Sequence, residues 1–256
     1  MLLVISPSKT QRLDSKVIDC LTQPALLTHT RELVNSLAGL TMAELADLMK
    51  ISPKLTALTY QRYQSFTFPF TPKNSGPALF VFQGDQFSSL AVDRYGQDDL
   101  LFAQDHLRIL SGLYGVLRPL DLMQPYRLEM ATKMDTSRGK TLYAFWNNRI
   151  TDHLNTALAG RKTRVLFNLA SDEYFKAVHV KNLHCPVLKI SFKEIKNGKT
   201  RTIAIYAKRA RGMMVDFVIR RHVSELESLK KFSRAGYRYS RRLSTEREWV
   251  FSRGSE

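Results

Sequence analysis

The sequence predicts a mixed α/β (α+β) fold in which residues 1–256 form a single compact domain. Three observations support this prediction. Short apolar runs rich in branched side chains predict strands, and longer stretches that begin with capping residues predict helices. Neither an internal repeat nor a convincing linker divides the chain. Its 256 residues suit one large domain, and a hydrophobic fraction of 44% supplies enough side chains for a core.

The first 160 residues alternate between apolar runs and helix start signals. Thr41 and Glu44 have the spacing of a capping box, and Ser52 precedes a proline at the first position of a helix. The elements predicted in this part are a strand at 2–5, helices at 42–50 and 53–64, a strand at 78–82, and helices at 98–109 and 146–158.

The last hundred residues contain a hairpin signal followed by a basic helix. Asn197 and Gly198 lie between two β-rich runs, and Asn-Gly in this position is the strongest short hairpin signal. The elements predicted here are a strand at 165–167 with Ser171 as the N-cap of the next helix, strands at 187–195 and 200–206, and a helix at 207–223.

Positive charge is concentrated in the C-terminal part of the chain. The 39 Lys and Arg residues exceed the 23 Asp and Glu residues by 16, and the sequence pI is near 10.0. Residues 1–160 are nearly neutral, with 16 basic and 14 acidic side chains, whereas residues 161–256 hold 23 basic and 9 acidic ones. This asymmetry indicates a polyanionic partner, most simply DNA. A basic surface that is merely solvated is the alternative.

Cysteine usage and hydropathy exclude several classes of protein. Cys20 and Cys185 are too few and too far apart for a disulfide framework or a zinc site, and His179 and His184 do not complete a ligand set. Residues 1–5 lack the features of a signal peptide, and no stretch reaches the ~20 apolar residues of a membrane span. We therefore expect a cytoplasmic protein without metal, cofactor or membrane contact.

A glycine-containing segment follows the helix predicted at 98–109. Gly112 and Gly115 would let backbone N–H groups approach a phosphate at the start of a second helix. This arrangement approximates a helix-hairpin-helix element, which binds DNA phosphates without reading bases. A plain glycine helix stop is the alternative. Nearby, Arg118 and Arg127 could bind phosphate through their planar guanidinium groups or form ion pairs with acidic neighbours.

The basic side chains of the C-terminal part are the strongest signal for nucleic-acid binding. No acidic residue lies between Lys230 and Arg242, and tyrosines are interleaved with the arginines. The candidate nucleic-acid-binding residues are Gly112, Tyr114, Gly115, Arg118, Arg127, Lys208, Arg209, Arg211, Arg220, Arg238, Arg241 and Arg242.

The loop after the first strand is a candidate phosphate-binding loop. Ser6 and Lys9 provide a hydroxyl and a cation there, but the glycines of a P-loop are absent, and an ordinary loop is the alternative.

Six segments of the chain resemble the YaaA family of bacterial peroxide stress-response proteins. They are VISPSKT at 4–10, SGLYGVLRPLD at 111–121, QPYRLEM at 124–130, NLASDEYF at 168–175, YAKRARG at 206–212 and WVF at 249–251. The resemblance implies an unusual mixed α/β topology, DNA binding through a basic cleft with a helix-hairpin-helix-like element, and limitation of iron-dependent oxidative damage during hydrogen peroxide stress.

Two functional hypotheses follow. The first is a non-catalytic, monomeric protein that binds duplex or branched DNA largely without regard to sequence. The second is an enzyme that acts on a nucleotide or another phosphorylated small molecule. In that case one small pocket should contain Ser6, Lys9, Arg127, Glu129, Asn168, Glu173, Lys208 and Arg209, whereas DNA binding requires a groove wide enough for a duplex.

Overall fold

The computed structural model describes residues 1–13, 18 and 20–254, and an eight-stranded sheet lies at its centre. The strands are β1 (Leu2–Ile5), β2 (Gly76–Pro77), β3 (Leu107–Ser111), β4 (Gly115–Leu117), β5 (Leu122–Met123), β6 (Leu166–Asn168), β7 (Val187–Lys196), β8 (Lys199–Arg201), β9 (Arg238–Tyr239) and β10 (Glu248–Arg253). The sheet has the order β4-β3-β1-β6-β7-β10-β9, and β8 pairs with β7. The short strands β2 and β5 pair with each other.

Helices lie between and around these strands, which confirms the mixed α/β class and the single compact unit. They are α1 (Leu27–Ala38), α2 (Met42–Met49), α3 (Pro53–Gln64), α4 (Ala78–Val81), α5 (Gln97–His106), α6 (Leu142–Trp146), α7 (Arg149–Leu158), α8 (Asp172–Phe175) and α9 (Ala204–Arg220). Within the described residues, no helix combines the length and the hydropathy that crossing a membrane requires.

The middle of the sheet is parallel, and β1 lies at its heart. Leu3 is paired with Leu107 of β3 on one side and with Phe167 of β6 on the other. All four residues of β1 are buried, as expected for a parallel strand that is covered on both faces. Further parallel pairs join β6 to β7 and β7 to β10, whereas the edge strands β4 and β9 are antiparallel.

Strong local signals in the sequence predicted their elements correctly. The backbone N–H of Thr41 donates to the Glu44 carboxylate at 2.8 Å, and the Glu44 N–H donates to the Thr41 hydroxyl at 3.3 Å, which completes the capping box of α2. Between β7 and β8, Asn197 and Gly198 have φ of 51° and 68°. These left-handed conformations close the predicted hairpin, because Asn and Gly tolerate positive φ.

Several elements differ from the prediction. Residues 78–81 form the short helix α4, where a strand was predicted at 78–82, since a fully buried apolar run carries no periodicity that separates the two. The helix predicted at 146–158 begins only at Arg149, because α6 ends at Trp146. The helix predicted at 98–109 ends at His106, where the chain enters the buried strand β3. The second strand of the hairpin ends at Arg201, and α9 begins at Ala204.

The predicted helix-hairpin-helix-like element at 112–115 is wrong. This segment is the turn of an antiparallel hairpin between β3 and β4, in which Ser111 faces Gly115. Gly112, Tyr114 and Gly115 are all buried, and the Tyr114 hydroxyl donates to the Gln124 carbonyl at 3.0 Å. Burial also raises the pKa of Tyr114 well above its ordinary value. These residues therefore belong to the core, where no DNA backbone reaches them.

The packing at Gly112 can be tested by a matched pair of alanine substitutions. A Cβ at Gly112 would lie 2.3 Å from the Leu128 carbonyl oxygen, so Gly112→Ala should lower the free energy of unfolding by about 2 kcal/mol. Gly39, at the end of α1, has φ −77° and an open side, so Gly39→Ala should be neutral or stabilising by about 0.5 kcal/mol. Urea denaturation measures both values, and equal effects would contradict the buried hairpin.

Candidate functional site

The loops that follow β1 and β6 meet at the carboxyl end of the sheet. Ser6 directly follows β1, and its hydroxyl donates to the hydroxyl of Ser171 at 3.2 Å. The backbone N–H of Ser171 donates back to the Ser6 hydroxyl at 2.9 Å. The carboxyl ends of neighbouring parallel strands are the usual ligand-binding place in α/β sheets. This serine pair therefore lies where a ligand-binding site is expected.

A cavity of about 430 Å³ lies beside the two serines, and we call it the inner cavity. Four separate segments build its walls: the loop after β1, the turn after α4, the start of α8 and the first turns of α9. The residues lining it are residues 6–10, residues 84–86, Ser171, Glu173, Tyr174, Lys208 and Arg211. Its volume falls within the range of small-ligand pockets, which is about 300 to 1,000 Å³.

Close packing brings α9 to this cavity. Gly212 lies so near the turn after α4 that a Cβ there would be 2.0 Å from the Gln86 carbonyl oxygen. One turn further on, the buried Asp216 accepts hydrogen bonds from the Ala91 N–H at 3.0 Å and the Tyr95 hydroxyl at 2.8 Å, and it pairs with Arg234. The glycine and the buried carboxylate together fix where α9 presents its basic side chains.

Cations outnumber free carboxylates in the inner cavity. Lys208 is exposed and forms no ion pair with another described residue, and burial lowers the pKa of the half-buried Arg211. Asp85 is paired with Arg209, whose Nε lies 3.0 Å from the carboxylate. The Glu173 carboxylate accepts a hydrogen bond from a backbone N–H at 3.2 Å. The arrangement suits an anionic ligand.

A second basic region continues from the inner cavity. A small depression shares Lys9 and Tyr174 with that cavity and includes Arg127 and Glu129. The Glu129 carboxylate lies 2.7 Å from the Lys9 ammonium and 3.6 Å from the Arg127 guanidinium. Arg127 is only 17% exposed, and its buried Nε has no hydrogen-bond partner among the described residues.

The depression leads to an outer cavity of about 290 Å³. Arg127 and Glu129 line both the depression and the outer cavity. The outer cavity is also lined by Lys50 and Lys133. Each of the three depressions shares lining residues with the next, and the middle one is a constriction of only about 10 Å³. We use the name strand-end groove for the three together. Its cations come from both the nearly neutral and the strongly basic parts of the sequence.

The structure separates the candidate residues into three groups. Arg127, Lys208, Arg211, Ser6 and Lys9 line the strand-end groove, and Arg209 lies at its rim. A second group is exposed elsewhere, at the end of α9, on β9 and in the turn after β9: Arg220, Arg238, Arg241 and Arg242. The third group lies outside the groove and comprises the buried residues Gly112, Tyr114 and Gly115 and the partly exposed Arg118.

Arg118 has a structural partner. Its guanidinium lies 3.0 Å from the carboxylate of Asp121, which is 1% exposed, and donates to the Gln23 carbonyl at 3.1 Å. Burial raises the pKa of Asp121 although this ion pair opposes the shift. The ion pair, which the sequence offered as an alternative, therefore accounts for Arg118.

Several groove residues were not among the sequence candidates. Gln86 follows a short buried helix in a turn that carries no recognisable motif, so sequence offered no signal for it. Ser171 was predicted only as a helix N-cap, although its position after an apolar run matches that of Ser6. Asn168, by contrast, was predicted in the pocket of the enzyme hypothesis but lines none of the three depressions. It is buried at the end of β6, where its side-chain oxygen accepts the Ala170 N–H at 2.9 Å. Asn168 is thus a structural residue.

Among the residues that the structure describes, no group of three or more His, Cys, Asp and Glu side chains could hold a metal ion. Cys20 and Cys185 are free thiols.

Comparison with known proteins gives a consistent family signal. A family model described as peroxide stress protein YaaA matches residues 1–243. The chain is 52% identical over 253 residues to a UPF0246 protein of Acaryochloris marina, covering 99% of this chain and all of the relative. It is 49% identical over 258 residues to one from Magnetococcus marinus, covering all of both chains. A UPF0246 protein of Cellvibrio japonicus is 47% identical over 254 residues, with 99% and 98% covered.

The structural role of Arg118 predicts a stability effect without a binding effect. Arg118→Ala would leave the buried Asp121 carboxylate unpaired and should cost about 3 kcal/mol of unfolding free energy. Adding Asp121→Asn should restore part of that loss, because the unpaired charge is then removed. Urea denaturation and DNA-binding titrations of both variants test this, and a stable Arg118→Ala protein that has lost DNA binding would contradict it.

Proposed function

The chain belongs to the YaaA family of peroxide stress proteins, and we propose that it acts by binding DNA through the strand-end groove, largely without regard to sequence. In this proposal the groove is the basic cleft that the family resemblance implies, and the protein limits iron-dependent oxidative damage. A DNA ligand implies action in the cytoplasm, and a monomer would suffice because one chain supplies the whole groove.

The observation that carries the proposal is that four cations line the adjoining depressions of the strand-end groove. Lys9 and Arg127 lie at its middle, and Lys208 and Arg211 lie in the inner cavity. Lys and Arg side chains that contact phosphates release counterions, which is the main source of affinity in sequence-independent binding. Guanidinium groups add bidentate hydrogen bonds to phosphate oxygens.

Exposed arginines outside the groove would extend the contact. Arg220, Arg238 and Arg241 form no ion pair with other described residues, so their charge remains available to a phosphate backbone. These residues are attached to α9, to β9 and to the turn after β9. In this proposal these arginines attract the DNA electrostatically, while the strand-end groove binds one part of the DNA backbone.

The enzyme hypothesis is the second candidate, and the geometry gives it specific support. Ser6, Lys9, Glu173 and Lys208 line one cavity of about 430 Å³, which has room for a nucleotide but not for a duplex. Arg127 and Glu129 line the adjoining depression. Asn168 and Arg209, the other two residues of that hypothesis, line neither the cavity nor the depression. The partial convergence supports a small phosphorylated ligand but assigns no general base or nucleophile.

The DNA proposal predicts a steep dependence on salt. Four phosphate contacts should weaken binding by roughly a hundredfold between about 50 and about 200 mM salt. Lys208→Gln should weaken binding to every sequence and make the slope of log affinity against log salt shallower by about one. Lys54→Gln removes an exposed charge from α3 that lines none of the three depressions. It is the matched control and should change neither quantity.

Fluorescence anisotropy with labelled duplex, branched and single-stranded DNA measures both effects. An affinity that is the same at the two salt concentrations would refute the proposal. If the Lys208 and Lys54 substitutions change the affinity for DNA equally, DNA does not bind in the strand-end groove.

Glu129 should oppose DNA binding, because it occupies the two cations at the middle of the groove. Glu129→Gln removes the charge that pairs with Lys9 at 2.7 Å and should raise the affinity for DNA about fivefold. The same anisotropy titration at low salt measures this gain. An unchanged or lower affinity would mean that Lys9 and Arg127 do not contact the DNA.

A further inference from the structure

We propose that the inner cavity is a receptor for a single phosphate monoester group, carried by a nucleotide or by the 5′-phosphorylated end of a DNA strand. This inference rests on the proposed function, because it names the chemical group that the deepest part of the same groove recognises. It goes further in assigning a terminal phosphate group, and not only the internal phosphates of a DNA backbone, to the inner cavity.

Two buried nitrogens that lack partners are the first observation. Gln86 Nε2 and Arg211 Nε are both inaccessible to solvent, and neither has a hydrogen-bond partner in the part of the chain that the structure describes. Both residues line the inner cavity, and Gln86 is only 7% exposed. A buried donor without a partner costs about 1 to 3 kcal/mol. A ligand rich in acceptors would remove that cost after small side-chain adjustments.

The serine pair is the second observation. The Ser6 hydroxyl donates to the Ser171 hydroxyl and accepts the Ser171 N–H, so its hydrogen-bonding capacity is largely used. The Ser171 hydroxyl accepts one bond and still has its own proton to donate. This proton is available to a ligand in the inner cavity, which Ser171 lines. The pair therefore acts as a fixed donor at the carboxyl end of β6.

Charge is the third observation. Lys208 and Arg211 reach the cavity from the same helix, and Arg209 neutralises Asp85 at the rim. A phosphate monoester carries close to two negative charges at neutral pH, because its second pKa is about 6, whereas an internal phosphodiester carries one. The Glu173 carboxylate also lines the cavity and opposes one of these charges. Two cations and several neutral donors around one small space nevertheless match a terminal phosphate better than an internal one.

The test uses isothermal titration of the full chain with a nucleoside 5′-monophosphate, inorganic phosphate and the unphosphorylated nucleoside. The first two should bind, and the nucleoside should not. Lys208→Gln and Ser171→Ala should each weaken monophosphate binding by about tenfold, whereas Lys54→Gln should leave it unchanged. Lys208 is exposed, so its substitution does not threaten folding.

Oligonucleotides with and without a 5′-phosphate distinguish the two sources of the group. If the 5′-phosphorylated oligonucleotide binds more tightly than the unphosphorylated one, the cavity is assigned to DNA ends. If the two oligonucleotides bind equally and the nucleoside monophosphate also binds, the cavity is assigned to free nucleotides. Both outcomes support the inference. If DNA binds in a salt-dependent manner but neither monophosphate nor phosphate binds, the inference fails and the proposed function stands. If DNA does not bind either, both fail.

Discussion

The parallel pairing of β1 with both β3 and β6 is the constraint on which the rest of the site depends. Because β1 and β6 run in the same direction, the loops that follow them leave the sheet side by side. Ser6 and Ser171 are 165 positions apart in sequence, yet the two loops are joined by two hydrogen bonds between these residues. Two further walls of the inner cavity, the turn after α4 and α9, are packed against each other through the close approach of Gly212 to the Gln86 carbonyl oxygen.

The charge asymmetry of the sequence does not separate the folded chain into a neutral part and a basic binding part. Cations of the nearly neutral part, Lys9 and Arg127, line the same groove as Lys208 and Arg211 of the basic part. The groove is thus a joint product of both parts of the sequence. The acidic residues at the site also have defined partners, since Asp85 pairs with Arg209 and Glu129 with Lys9.

Sequence predicted the features that depend on neighbouring residues. The capping box at Thr41 and the Asn-Gly hairpin at 197–198 were correct because a few adjacent side chains decide them. The glycine segment at 112–115 was misassigned because glycines serve tight packing and phosphate contact equally well. Only the contact of Gly112 with the Leu128 carbonyl, made in the folded state, decides between the two. Gln86 could not be found for the same reason: its role depends on α9, which lies far along the chain.

The central claim is that ligands bind where β1 and β6 end, and amide chemical-shift mapping tests it most directly. The labelled protein would be titrated with a short 5′-phosphorylated oligonucleotide. Our account predicts that the largest shifts occur at residues 6–9, at Ser171 and at residues 208–211. Shifts confined to residues 238–242, with none at the strand ends, would contradict it and would move the binding site to the outer edge of the sheet.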